Sequence, residues 1–155
     1  MSTTNTTDMK HKFEKFLPSA QAIAALSKDP STKVGAVALN DDGILLAVGY
    51  NGFPRGVGDD PARYAEKEVK YKLISHAEQN LVAQAAYAGH SLKGSTVVLS
   101  GLYPCSSCAK SLIQAGVRRI ITPPADANPR WAPDAEWSSL MFREAGVEIV
   151  VVVPA

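Results

Sequence analysis

The sequence predicts an α/β fold built on a partly parallel sheet of about five strands. Apolar runs alternate with helix-like segments through the second half of the chain, and no repeat or linker interrupts them. The 155 residues have the size of one ordinary domain. We therefore expect 1–155 to form a single domain. We expect 1–8 to be disordered, because Ser, Thr and Asn dominate that segment.

Five apolar runs predict the strands. The first two flank a turn from Asn40 to Gly43 and are expected to form a hairpin. The last run is apolar almost throughout, which indicates burial on both faces. The predicted strands are 34–39, 44–50, 96–100, 119–122 and 147–153.

Amphipathic or alanine-rich segments predict the helices. Pro18 lies inside the first of them and predicts an irregularity there. Glycines follow three others, and Asp134 is expected to cap the last one. The predicted helices are 10–28, 62–73, 77–88, 106–115 and 134–145, and Gly- or Pro-rich loops cover 51–61 and 123–133.

Charge and composition narrow the classes of partner. The formal net charge is +1, so no basic excess supports tight, sequence-independent nucleic-acid binding, although a local pocket for a small anion remains open. No apolar run is long enough to span a bilayer, and the start of the chain has no apolar signal core. We therefore expect a cytoplasmic protein with no membrane partner.

Two short motifs bring together groups that bind metals. His76-Ala77-Glu78 begins one predicted helix, and Pro104-Cys105-Ser106-Ser107-Cys108 begins another. A helix N-terminus favours the thiolate form that binds zinc, and the Cys spacing places both sulfurs on one face of a first turn. Three ligands leave the fourth tetrahedral position open, which is typical of a catalytic zinc. Glu78 is the expected proton carrier beside it.

The same residues also allow interpretations other than a catalytic zinc site. A Cys-x-x-Cys pair alone is also typical of a redox pair or of half a structural zinc site. A structural site needs a fourth ligand, and the remaining candidates are His11 and His90. We expect both to be ordinary solvent-exposed histidines. The combination of the two motifs therefore favours the catalytic zinc.

Four segments carry a resemblance to a known family: Ser27–Ala36, Gly49–Gly56, His76–Asn80 and Pro104–Lys110. His-x-Glu followed by Pro-Cys-x-x-Cys is the signature of zinc-dependent nucleobase deaminases. The chain resembles the cytidine deaminase superfamily and, within it, the deoxycytidylate (dCMP) deaminase family. The resemblance implies a cytidine deaminase-like, three-layer α/β/α fold with a mixed five-stranded sheet. It also implies a homo-oligomer that acts on a small nucleotide.

The same resemblance implies roles for individual residues. Asn51 would bind the sugar, the backbone N–H of Ala77 would read the base, and Val34 and Ala36 would line the base pocket. Trp131 falls where relatives carry an aromatic residue near the substrate, and it reads equally well as a partly buried loop residue. Some relatives use extra Cys and His for a second zinc, but both cysteines are used here, so one Zn²⁺ per chain is expected.

The implied reaction needs a proton carrier and cations for the 5′-phosphate. Glu78 would take a proton from water, pass it to ring N3 of cytosine and then protonate the leaving amine. Among the cations, Arg55 in the glycine-rich loop is preferred, whereas Lys67 and Lys70 read better as part of a solvated helix face. The candidates are Lys33, Arg55, Arg63, Lys67 and Lys70.

Two other classes of function compete with dCMP deamination. Within the superfamily, the substrate could be cytidine, a free base such as guanine, or an adenosine in tRNA; the near-neutral charge argues against the last. Outside it, the chain could be a zinc-stabilised binding module without turnover. Glu78 argues against that module, because a structural site has no use for a carboxylate beside an open position.

Overall fold

The computed structural model of the protein describes residues 12–153, and their secondary structure forms a mixed sheet with helices on both faces. The predictions of a disordered 1–8 segment and an exposed His11 lie outside these residues. The strands are β1 (Gly35–Leu39), β2 (Leu45–Tyr50), β3 (Thr96–Ser100), β4 (Arg119–Thr122) and β5 (Glu148–Val151). The helices are α1 (Leu17–Ala24), α2 (Pro61–Ala65), α3 (Lys67–Leu73), α4 (Ala77–Ala88), α5 (Ser106–Gln114) and α6 (Ala132–Ala145).

The sheet has the order β2-β1-β3-β4-β5. β1 is antiparallel to β2 and to β3, and β3, β4 and β5 run parallel to one another. The predicted mixed five-stranded sheet is therefore confirmed. Parallel strands β3 and β4 are joined through α5, and β4 and β5 through α6, as a βαβ crossover requires.

Two apolar clusters on opposite faces of the sheet make the three layers. Alternate residues of β1 belong to different clusters, with Ala36 and Ala38 on one side and Val37 and Leu39 on the other. The first cluster lies under α4, α5 and α6, and the second lies under α1. All five residues of β1 are buried, so this strand is the centre of the core.

Two glycines let helices approach the sheet very closely. A Cβ built on Gly49 of β2 would lie 2.3 Å from the Ala77 carbonyl oxygen of α4. One built on Gly35 of β1 would lie 2.2 Å from the Ala20 carbonyl oxygen of α1, on the opposite face. Both distances are sterically forbidden, so each helix packs where a side chain is missing. The Gly49 contact fixes the height of α4, whose first turn carries His76 and Glu78.

The structure corrects several predicted boundaries. The first predicted helix is broken: residues 12–14 are helical, but a turn at 15–16 separates them from α1, where Pro18 occupies the first turn because it needs no N–H partner there. α1 ends at Ala24 and not at residue 28. The predicted 62–73 helix is divided by Glu66, which has extended backbone angles (φ −92°, ψ 107°).

Two predictions about the end of the chain were wrong. The last helix starts at Ala132 after Trp131, so Asp134 is not its cap; its carboxylate binds the start of α5 instead. β5 is a sheet edge, and Val151 is 46% exposed, so this strand is not buried on both faces. Among the described residues, no helix is long and apolar enough to cross a membrane.

Candidate active site

Two helix N-termini meet at the carboxyl-terminal end of β3 and bring three metal-binding groups together. His76 immediately precedes α4, and Cys105 immediately precedes α5. The His76 Nδ1 atom lies 3.5 Å from Cys105 Sγ and 3.3 Å from Cys108 Sγ. The three atoms all lie within 4.8 Å of one another. The predicted ligands are therefore adjacent, and with the carboxyl of Glu78 they form what we call the metal corner.

Local hydrogen bonds explain why the two motifs fold this way. The Cys108 N–H points at Cys105 Sγ at 3.5 Å, which holds both sulfurs on the first turn of α5. The His76 N–H donates to Gln79 Oε1 at 2.9 Å, so the helix start that carries His76 is tied to its own first turn. Asn80 donates to the Tyr50 carbonyl oxygen at 2.7 Å and so joins α4 to the end of β2.

Asp134 braces the cysteine-bearing turn from another helix. Its Oδ2 accepts the Ser106 N–H at 2.8 Å, and its Oδ1 accepts the Ser106 hydroxyl at 2.7 Å. Both bonds hold the residue that directly follows Cys105. Sequence reasoning missed this contact, because it assigned the Asp134 carboxylate to its own helix.

The donor set fits zinc. Tetrahedral zinc with bonds of about 2.3 Å to sulfur and about 2.0 Å to nitrogen places S and N about 3.5 Å apart. The observed separations of 3.3 and 3.5 Å are close to that geometry. A set of two thiols and one imidazole also favours zinc over magnesium or calcium, which prefer oxygen ligands.

The protein groups alone already favour one thiolate. The hydrogen bond from Cys108, supported by one from His76, lowers the pKa of Cys105 to about 4 although burial opposes it. The hydrogen bond between the two cysteine side chains, together with burial, raises the pKa of the Cys108 thiol far above its usual range. The hydrogen bond to Cys105 also raises the pKa of His76. The three side chains are therefore linked by hydrogen bonds to one another.

Glu78 is buried beside these ligands. It is 4% exposed and faces the same cavity. Burial, with a smaller contribution from the charge of Cys105, raises its pKa to about 7. A carboxyl with a pKa near neutrality can both accept and return a proton, which is the property that proton transfer in both directions requires.

A cavity of about 520 Å³ opens from the metal corner to the surface. That volume suits a nucleotide-sized ligand. Part of its lining consists of charged, polar and aromatic side chains, which we call the outer wall: Asp29, Asn51, Lys67, Lys70, Tyr71, Arg130 and Trp131. Lys67 and Arg130 have no carboxylate partner within 12–153, whereas Lys70 is paired with Asp29.

The cavity includes most of the residues that the resemblance proposed for substrate binding. Val34, Asn51, Ala77 and Trp131 line it. Trp131 is 43% exposed, with the Arg130 guanidinium 4.9 Å from its ring centroid. Their predicted roles stay predictions, but their positions are compatible with them.

Two proposed residues lie elsewhere. Ala36 is fully buried in the core cluster and does not line the cavity, because its side of β1 is covered by α4. Arg55 does not line it either; its guanidinium stacks 4.3 Å from the ring centroid of Tyr87 at the far end of α4. Two other cation candidates are hydrogen-bonded to backbone carbonyl oxygens of the protein: Arg63 donates to that of Gly58, and Lys33 to that of Ser27.

Sequence reasoning also misjudged Lys70. The sequence predicts a solvated helix face for it, but it is only 9% exposed and forms an ion pair with Asp29 at 2.8 Å. Arg130 lies in a proline-rich loop with no recognisable motif, so no sequence signal points to it. His90 is exposed as expected, and its Nδ1 lies 2.8 Å from the Leu46 carbonyl oxygen.

Comparison with protein families decides the membership of the chain. The model of the cytidine and deoxycytidylate deaminase zinc-binding region matches residues 10–123, which include every residue of the metal corner. The chain belongs to this family. The resemblance proposed from its motifs is therefore confirmed.

Individual relatives agree with this membership. An uncharacterized deaminase of Aliivibrio fischeri is 37% identical over 138 residues, which cover 88% of this chain and 90% of that protein. The deoxycytidylate deaminase of Homo sapiens is 34% identical over 146 residues, covering 91% and 79%. The crystal structure of the dCMP deaminase of cyanophage S-TIM5, solved with dCMP and dUMP, has a TM-score of 0.69 at 25% identity, covering 90% and 95%. The cytidine deaminase-like fold is therefore confirmed.

Proposed function

We propose that the protein is a zinc-dependent hydrolase that converts dCMP and water to dUMP and ammonia. The observation that carries the proposal is the position of Glu78, buried against three zinc-type ligands at the inner end of a nucleotide-sized cavity. The human and cyanophage relatives are named for this reaction, which supports the choice of substrate. His76, Cys105 and Cys108 would hold one zinc ion per chain.

Glu78 performs the proton transfers in this reaction. Zinc, when held by the three ligands, supplies Lewis-acid activation of the attacking water. Glu78 accepts a proton from that water and delivers it to N3 of the cytosine ring, while the water oxygen bonds to C4. It then passes the second water proton to the exocyclic amine, the C4–N bond breaks and ammonia leaves. The raised pKa of Glu78, about 7, suits this alternation at neutral pH.

The outer wall supports a nucleotide in preference to a nucleoside. Lys67 and Arg130 line the cavity and have no carboxylate partners among residues 12–153, so their charge is available to an anion. Phosphate in a partly enclosed site forms charge-assisted hydrogen bonds with such groups. We therefore assign the 5′-phosphate to Lys67 and Arg130. Arg55 does not line the cavity of its own chain, so it is no longer the preferred phosphate ligand there.

Other properties follow as part of the same proposal. We infer that 1–155 is one deaminase domain, since a single sheet carries the whole cavity. Two reduced thiols used as ligands suit the reducing cytoplasm. Tyr87 and Trp137 are 76% and 63% exposed, and we expect a homo-oligomer to cover them. Sedimentation velocity tests whether the protein forms an oligomer.

A substrate panel tests the proposal. Purified, zinc-loaded protein is assayed for ammonia release from dCMP, deoxycytidine, cytidine, cytosine, guanine and a tRNA. We expect dCMP to give the highest kcat/KM. Lys67→Ala and Arg130→Ala should each lower the preference for dCMP over deoxycytidine about tenfold, whereas Lys110→Ala, a cation outside the cavity, should not. Turnover of guanine or tRNA in place of dCMP, or no turnover by fully loaded protein, would contradict the assignment.

A further inference from the structure

Asp29 is a buried carboxylate that collects hydrogen bonds at the cavity wall. Its Oδ1 accepts the Lys70 ammonium at 2.8 Å and the N–H groups of Ser31 and Thr32 at 2.9 and 3.3 Å. Its Oδ2 accepts the side-chain amide of Asn51 at 3.3 Å. Burial raises the pKa of Asp29, but the bonds from Lys70 and the two backbone N–H groups lower it more, so the group remains an ionised acceptor.

The Asp29–Lys70 pair is costly to bury. The two side chains are 4% and 11% exposed, and they join a loop before β1 to α3 across 41 positions of sequence. A buried ion pair loses hydration that its Coulomb attraction only partly recovers, so an apolar pair is often as stable. Both residues line the cavity. A function at the cavity therefore explains the pair better than stability does.

Through Asp29, the pair contacts Asn51. Its Nδ2 donates one hydrogen to the Thr32 carbonyl oxygen at 2.8 Å and the other to Asp29. Its Oδ1 accepts the Val34 N–H at 2.9 Å. Both amide hydrogens are thus used inside the protein, whereas Oδ1 keeps one lone pair. Asn51 is left with an acceptor, and only an acceptor, to offer to a ligand.

We propose that the Asp29–Lys70 ion pair is a positioning device that locks the Asn51 amide with Oδ1 toward the ligand, so that Asn51 recognises a hydroxyl donor. A flipped amide would place its oxygen against the Asp29 carboxylate and the Thr32 carbonyl, and its hydrogens against the Val34 N–H. Lys70 keeps Asp29 in place and compensates its charge. The inference rests on the proposed function, since the sugar of dCMP has one free hydroxyl, the 3′-OH, to donate.

The test compares two substrates and three variants of the full, zinc-loaded chain. The substrates are dCMP and 2′,3′-dideoxycytidine 5′-monophosphate, which lacks only the 3′-OH. The wild type should prefer dCMP about fivefold in kcat/KM, as one neutral hydrogen bond gives. In Lys70→Met this preference should fall to about one through a higher KM for dCMP, with kcat nearly unchanged. Lys70→Arg should restore it, and Lys72→Met, an exposed lysine of the same helix, should retain it.

The outcomes separate positioning from simple stabilisation. If Lys70→Met lowers the Tm but keeps the preference for dCMP, or affects both substrates equally, the positioning role is overturned. If that variant does not fold, Asp29→Asn takes its place, because it keeps the size of the side chain and removes the charge that fixes the amide.

Failure of the proposed function gives a different result. If the wild type deaminates neither nucleotide, the substrate assignment fails, and hydrogen exchange of the Asn51 side-chain amide measured by NMR decides the positioning role. Slow exchange in the wild type with rapid exchange in Lys70→Met supports it. Equal exchange rates in the two proteins overturn it.

Discussion

The metal corner and the outer wall of one cavity are built in different ways. The metal corner consists of two short sequence motifs, each held by hydrogen bonds within its own helix turn. The outer wall is assembled from the loop before β1, from Asn51 after β2, from α3 and from the loop before α6, which lie far apart in the sequence. The chemistry therefore resides in local sequence, whereas the choice of substrate resides in long-range contacts. Variants that affect one region and not the other test this division.

The largest effect is expected from Glu78→Gln in the metal corner. Gln has the same size but no proton to exchange, so kcat should fall about 10²–10⁴-fold. Zinc content measured by mass spectrometry should stay at one per chain, because Glu78 is not one of the ligands. Stability should not fall, since the change removes a buried ionisable group. A variant that keeps near wild-type turnover would end the proton-carrier role.

The second prediction concerns Asp134, which supports the metal corner from outside it. Asp134→Ala removes both hydrogen bonds to Ser106 and frees the turn that holds Cys105. Zinc affinity, measured by competition with a chelator, should fall about 10–100-fold, as is usual when a residue supporting a ligand is lost. Glu136→Ala, an exposed acid on the same helix, is the matched control. Equal zinc affinity in the two variants would show that the turn holds itself.

The third prediction uses the two close helix approaches. Gly49→Ala and Gly35→Ala should each lower the free energy of unfolding by about 1–3 kcal/mol, because each Cβ would collide with a helix backbone. Only Gly49→Ala displaces α4 and hence His76 and Glu78. It should reduce kcat as well, while Gly35→Ala should leave kcat unchanged at temperatures where both are folded. Similar kcat losses in the two variants would mean that the metal corner does not depend on the position of α4 against β2.

The same division explains what could be predicted from the sequence. The metal corner was predictable because His76 and Glu78 lie together at the start of one helix, and the two cysteines lie together at the start of another. The central sheet was predictable because its strands alternate with helices in simple order. Lys70 was misjudged because a charged residue on a polar helix looks solvated until Asp29, 41 positions away, is known to pack against it. The role of Asp134 was predicted wrongly because its carboxylate could bind the start of its own helix, α6, or the start of α5, and it binds α5.

Arg55 gives the smallest expected effect and the sharpest contrast with the outer wall. Its position in the Gly-rich loop beside Asn51 suggested a phosphate contact, but proximity in sequence did not bring it to the cavity; its guanidinium lies over Tyr87. Arg55→Ala should therefore change the preference for dCMP over deoxycytidine by no more than about twofold, as expected of a surface substitution, whereas Arg130→Ala should change it about tenfold. Measurement of kcat/KM for both substrates decides the matter. If Arg55→Ala abolished the preference instead, the loop of one subunit would have to reach the cavity of another. The outer wall would then be complete only in the oligomer, while the metal corner would remain the property of a single chain.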